Sequence, residues 1–102
     1  MTRLRCVKMD EVMKNMLIHA LRDVFREEKE QGKPIKETGD LILKLAGYEE
    51  RNLYMTDEEH QKIVLALNCL RDDYIRGGRY TDGIDLVMRK ILQSKYKKCA
   101  AR

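Results

Sequence analysis

The sequence predicts an all-α domain, a four-helix up-down bundle built from two helical hairpins. Three observations carry this expectation. Apolar residues recur at three- and four-residue spacing in two long stretches; Thr56-Asp57-Glu58-Glu59 has the pattern of a helix-starting capping box; and glycines at 32, 47, 77 and 78 punctuate the stretches between. With one Pro and 37% charged residues, the 102-residue chain fits one domain, 1–102, able to bury about two-thirds of its unfolded surface.

The first helix is expected from Asp10, its cap, to about Gln31. Val12, Met13, Met16, Leu17, Ala20, Leu21, Val24 and Phe25 share one face, and Gly32 followed by Pro34 ends the run. A shorter second helix follows, starting at Pro34 or Thr38 and reaching Ala46. Leu41, Ile42, Leu45 and Ala46 give it a buried face, and Gly47 stands where a left-handed residue closes a helix. The connector from Tyr48 to Met55 has room for one helical turn, and its Tyr48, Leu53, Tyr54 and Met55 are expected against the core.

Thr56 opens the third helix, whose seam is Ile63, Ala66, Leu67, Leu70 and Tyr74 and whose stop is Gly77-Gly78. Thr81 or Asp82 restarts the chain as a fourth helix running toward Tyr96, with Ile84, Val87, Met88, Ile91 and Leu92 inward and Tyr80 packed at the turn. Residues 1–9 and 97–102 are expected to be flexible basic tails.

The two halves also match each other. At an offset of 46, Leu17–Leu21 lies over Ile63–Leu67; at an offset of 45, Asp40–Lys44 lies over Asp85–Arg89 and Gly32 over Gly77. A duplicated hairpin and convergent amphipathic patterning account for this match equally well.

The formal charge of +4 is unevenly placed. Arg3, Arg5 and Lys8 give the first nine residues +3 with no acid. Residues 77–102 hold seven Lys or Arg against Asp82 and Asp85, while the stretch between is net acidic. An even number of antiparallel helices returns both termini to one end, so the basic segments are expected to form one pole. Arg3, Arg5, Lys8, Arg89, Lys90, Lys95, Lys97 and Lys98 are then the candidate nucleic-acid contacts.

No residues are assigned to catalysis, to a cofactor or to a metal. His19 sits in helix 1 beside the apolar stripe, and His60 follows Asp57 by three residues without the inward mid-helix carboxylates a di-metal bundle needs. Cys6, Cys69 and Cys99 have no CxxC spacing; Cys69 reads as a small hydrophobe, and the common pole allows Cys6 and Cys99 to meet in an adventitious disulfide. The turn Gly77–Gly83 lacks both phosphate-loop patterns and is followed by acids, so it reads as a turn and a cap. The same acids argue against a DNA-reading helix.

The longest apolar run, Ile63–Leu67, is too short to span a bilayer, and no segment resembles a signal peptide, so the expected location is the cytoplasm with no membrane role. The functional expectation is a non-catalytic protein–protein interaction or regulatory module with a protein partner, in one form a homodimer, since six Met suit an adaptable surface. The alternative is a nucleic-acid binder using the basic pole.

Overall fold

The structure, a computed structural model, describes residues 2–99, with side chains described for 4–96. Its elements run β1 (Thr2–Lys8), α1 (Glu11–Glu30), α2 (Lys36–Ala46), β2 (Asn52–Met55), α3 (Asp57–Arg76), α4 (Asp82–Leu92) and β3 (Lys95–Cys99). The four expected helices are there. The all-α class and the flexible tails are corrected: both basic segments are strands of one antiparallel sheet, ordered β2-β1-β3. Residues 97–99 of the expected tail belong to β3, and 100–102 lie outside the described residues.

The physical reason is pairing. β1 carries Arg and Lys that hide a period-two pattern, and neither end of the chain has enough apolar surface to fold alone. Set side by side, Thr2 pairs with Cys99 and Cys6 with Lys95, while Arg5–Lys8 pair with Met55–Asn52 on the other edge. The expected helical turn in the connector is therefore β2, which places Leu53 and Met55 fully in the core. Likewise α4 stops at Leu92, short of Tyr96, because the Ser94 hydroxyl and amide both turn back to donate to the Ile91 carbonyl, at 2.6 and 3.2 Å.

The helix signals map closely onto caps. Asp10 accepts from the Met13 amide at 2.8 Å, and Thr56 and Glu59 form the reciprocal capping box. Met13, Leu17, Ala20, Leu21 and Val24 of α1 meet Ile63, Ala66, Leu67 and Leu70 of α3; α2 packs on α1, and α4 on α3. Val12 faces solvent instead, Tyr80 is 91% exposed rather than packed, and Gly47 closes α2 at φ −94° instead of in the left-handed region.

The two halves superimpose in sequence at one offset. Glu11 and Asp57, Glu30 and Arg76, Lys36 and Asp82, and Ala46 and Leu92 are each 46 positions apart, so both helix pairs start and stop in step. The left-handed glycines are Gly32 (φ 71°) and Gly78 (φ 69°), again 46 apart, which moves the second helices from the expected offset of 45. Each glycine closes the same motif: Gly32 and Lys33 donate to Lys29 and Glu28, as Gly78 and Arg79 donate to Ile75 and Tyr74.

The sheet obeys the same relation. Val7 pairs with Leu53, the residue 46 further along, and exchanging halves turns the pair Cys6–Tyr54 into Asn52–Lys8, which is also a pair. The next step turns Arg5–Met55 into Arg51–Met9, and the Met9 amide donates to the Arg51 carbonyl at 2.7 Å. A pseudo-two-fold axis thus passes through Val7 and Leu53, giving one chain the self-complementary contact of a symmetric dimer. Residues 46 apart are called mates below.

Candidate functional site

Strand pairing decides where the eight basic candidates go. Arg3 pairs with Lys98 and Leu4 with Lys97, so the N-terminal and C-terminal cations lie on adjacent strands; the side chains of Arg3, Lys97 and Lys98 lie outside those described. Arg5 is committed to the fold. Its Nε lies 3.2 Å from Asp57 Oδ1, one amino group donates to Tyr96 Oη at 3.0 Å, and the guanidinium covers the Tyr96 ring at 4.4 Å. Tyr96 Oη also donates to Asp57, and these hydrogen bonds, with Arg5, hold the Asp57 carboxyl below its ordinary range despite the opposing effect of desolvation.

Lys8 and Lys90 are exposed and converge on one cavity, of about 400 Å³, with Arg51, Asn52, Met9 and Asp10. Arg51 was not among the sequence candidates, since it falls in a connector whose two preceding residues are acidic. Lys95 is exposed on β3, and Arg89 is exposed in the last turn of α4.

A more apolar opening lies elsewhere, between α1 and α2. It is a groove of about 490 Å³ over Phe25, Ile35, Gly39, Ile42 and Leu43, with Arg22, Lys36 and Asp40 at its rim. Lys36 and Asp40 form an ion pair at 3.1 Å across one helical turn, and Leu43 is 72% exposed. Phe25 packs against the bare backbone of Gly39, where an added Cβ would stand 3.4 Å from the nearest ring carbon. In the other half the mates of Phe25, Ile35 and Gly39 are Arg71, Thr81 and Asp85. There Arg71 meets Asp85 at 2.7 Å and Thr81 donates to the same carboxylate at 2.9 Å. Those two bonds pull the Asp85 carboxyl below its usual range. One half therefore carries a polar surface where the other carries an apolar groove.

Between α1 and α3 runs an acidic cleft holding Asp23, Glu27, Glu30, Asp72 and Asp73 with Arg26, Arg76 and Cys69. Burial, and then the charges of Glu27, Asp72 and Asp73, push the Cys69 thiol up, so it stays protonated at neutral pH. The expected meeting of Cys6 and Cys99 is corrected by register. Cys99 pairs with Thr2, four residues from Cys6, or roughly 13 Å along the strand, beyond disulfide reach.

His60 sets Nε2 3.1 Å from the Ile91 carbonyl, joining α3 to the end of α4, whereas His19 is mostly exposed with Asp23 at 3.8 Å. Among the described residues, no group of three His, Cys, Asp or Glu converges as a metal site. No helix of the structure is long and apolar enough to cross a membrane. Compared with known proteins, the chain matches no protein family, no curated protein and no solved structure.

Proposed function

We propose that this protein is a non-catalytic interaction module of the cytoplasm that pairs with a second copy of itself through the α1–α2 groove. The observation that carries this reading is the exchange of Arg71, Thr81 and Asp85 for Phe25, Ile35 and Gly39 at matched positions. A surface that elsewhere in the same chain is closed by an ion pair is here left apolar, with Leu43 standing out of it. The rim favours a second copy. Lys36 and Asp40 lie one turn apart on α2, so an antiparallel α2 brought up by a two-fold axis sets each Lys36 against the other copy's Asp40.

The histidine and carboxylate contacts support a non-catalytic role: His60, Asp57, Asp85 and Glu28 are each engaged in holding two elements together. The matched helix pairs fit an origin by duplication of a strand–helix–helix unit, so that self-association repeats between copies what the halves do within one. Light scattering across a concentration series tests the reading. The wild-type chain is expected to dimerise, and Leu43→Glu, a change at an exposed position, to weaken the dimer at least tenfold; a chain monomeric at all concentrations refutes it.

A second reading, a binder of nucleic acid, rests on the pairing of β1 with β3, which joins the basic segments. It predicts binding to single-stranded oligonucleotide that falls steeply with salt and weakens when Lys95 is replaced by Gln. Salt-independent binding, or none, removes it.

A further inference from the structure

We propose that Lys8, Arg51 and Lys90 form a binding site for a phosphate group. This site requires neither a second copy nor a polynucleotide, and so stands apart from both readings above. The molecule's own symmetry points to it, because the same cations occur twice in one fold with different surroundings.

The mates of Arg51 and Lys90 are Arg5 and Lys44, identical residues: Arg5 lies within β1 and Arg51 just before β2, while Lys44 and Lys90 lie at matched positions of the shorter helices. In that half the chain supplies the anions. Arg5 Nε lies 3.2 Å from Asp57 Oδ1, and Lys44 Nζ lies 2.9 Å from Glu59 Oε1. Two cations face two carboxylates from the first turn of the long helix α3.

In the other half the carboxylates are gone from those roles. The mate of Asp57 is Glu11, whose carboxylate lies 3.6 Å from Lys14; the mate of Glu59 is Met13, which is buried in the core. The mate of Tyr54 is Lys8, so this half also gains a third cation. Among the described residues Lys8, Arg51 and Lys90 have no ion-pair partner within 4.0 Å, although they line one cavity. Asp10, the carboxylate in the same cavity, accepts from the Met13 amide as the cap of α1.

Within this cavity three cations stand against one engaged carboxylate, while Glu11, Glu49 and Glu50 line the adjoining cavity on the other side of Arg51. The other half shows what the mates of two of these cations take there: two units of negative charge on oxygen. A phosphate dianion brings that charge and those oxygens in one group, and Arg and Lys are the side chains suited to it. The cavity, at about 400 Å³, has space for a phosphate together with what it is attached to. The Met9–Arg51 backbone bond fixes the strand end that carries Lys8 against the connector that carries Arg51.

The test is a titration of the isotope-labelled full chain with sodium phosphate, followed by amide NMR shifts and matched in ionic strength by sodium chloride. Saturable shifts confined to residues 8–10, 51–52 and 90 are expected. Arg51→Gln and Lys90→Gln, both at exposed positions, should each weaken binding at least tenfold while leaving the remaining amide spectrum in place. The double variant Asp57→Asn, Glu59→Gln keeps the cap acceptors and releases Arg5 and Lys44; it should acquire a second saturable site around residues 5 and 44. A parallel titration with a short single-stranded oligonucleotide identifies the source of the phosphate: tighter binding than phosphate at the same residues points to a nucleic-acid backbone, and binding of phosphate alone to a small ligand. Shifts that follow chloride equally, or phosphate binding unchanged in Arg51→Gln, overturn the proposal.

Discussion

The two halves solve one packing problem with opposite chemistry, and they exchange it reciprocally. Where the first half joins α1, α2 and α3 through Glu28, Thr38 and Lys62, the second joins α3, α4 and α1 through the mates Tyr74, Ile84 and Met16. Where the first half is apolar, at Phe25, Ile35 and Gly39, the second is polar, at Arg71, Thr81 and Asp85. The backbone is indifferent to the choice, since helix lengths, cap positions and closing glycines are the same in both halves. What the fold requires is that each cluster be satisfied within itself, by ion pair or by contact.

The strongest way to break the comparison is at the axis. Leu53 and Val7 are mates and face each other, but Leu53 is fully buried whereas Val7 is half-buried. Leu53→Ala should cost about 3 kcal/mol in urea unfolding, and Val7→Ala about 1 kcal/mol. Equal costs would mean that the two halves share the core evenly, contrary to the burial.

The polar cluster of the first half offers a sharper test. Lys62 donates to the Glu28 carboxylate at 2.9 Å, and the hydroxyl of the fully buried Thr38 donates to the same carboxylate at 2.5 Å. Burial alone would raise the Glu28 carboxyl; the bonds from Thr38 and Lys62 outweigh it and hold the group below its usual range. Lys62→Ala leaves that carboxylate with too few partners and should cost about 2 kcal/mol. Installing the mates instead, as Glu28→Tyr, Thr38→Ile and Lys62→Met together, should leave a folded protein at least as stable as the wild type, because well-packed apolar groups replace a partly buried pair without loss. The pH dependence has a definite sign. Since the folded carboxyl is the stronger acid, its contribution is complete above the ordinary value of 4.5 and disappears as pH falls through the lower folded value. Urea midpoints measured between about pH 5 and pH 3 should fall less in the triple variant than in the wild type, whose other carboxylates titrate alongside. An identical fall in both would remove Glu28 from the account.

Helices were legible in the sequence because their signals are local. The Asp10 cap, the Thr56 and Glu59 box, and the spacing of Leu17 through Val24 and Ile63 through Leu70 all lie within a few turns of chain. The sheet was not, because Arg5 becomes strand-like only against Met55 and Tyr96, 50 and 91 residues away. The match between the halves was visible but misregistered: Gly77 and Gly78 adjoin, and only the positive φ of Gly78 shows which is the mate of Gly32. Of the eight basic candidates, Lys8 and Lys90 line one cavity together with Arg51, a convergence that depends on the fold and has no signal in the connector around Arg51.

The smallest expected effect concerns the outer edge of β2. In the first half a strand leaves the shorter helix and, having β1 on one side, exposes its other edge; on the far side of β1 that place is taken by β3. A side chain stands in for the missing strand. Tyr48 Oη donates to the Asn52 carbonyl at 2.5 Å and accepts from the Tyr54 amide at 3.1 Å, bridging the two outward groups as a neighbouring peptide would. Lys44 Nζ covers the Tyr54 carbonyl at 2.7 Å. Such cover keeps a short strand from pairing with another chain. The mate of Tyr48 is Ser94, which instead turns the chain into β3, so the two halves guard their sheet edges by different means. Tyr48→Phe keeps the ring and removes the bridge. It should cost about 1 kcal/mol or less, too little to isolate by unfolding, but hydrogen exchange at the Tyr54 amide should quicken at least tenfold. The Leu53 amide, which faces β1, should keep its protection. Equal acceleration at both would show that Tyr48 holds the whole strand in place rather than shielding its edge.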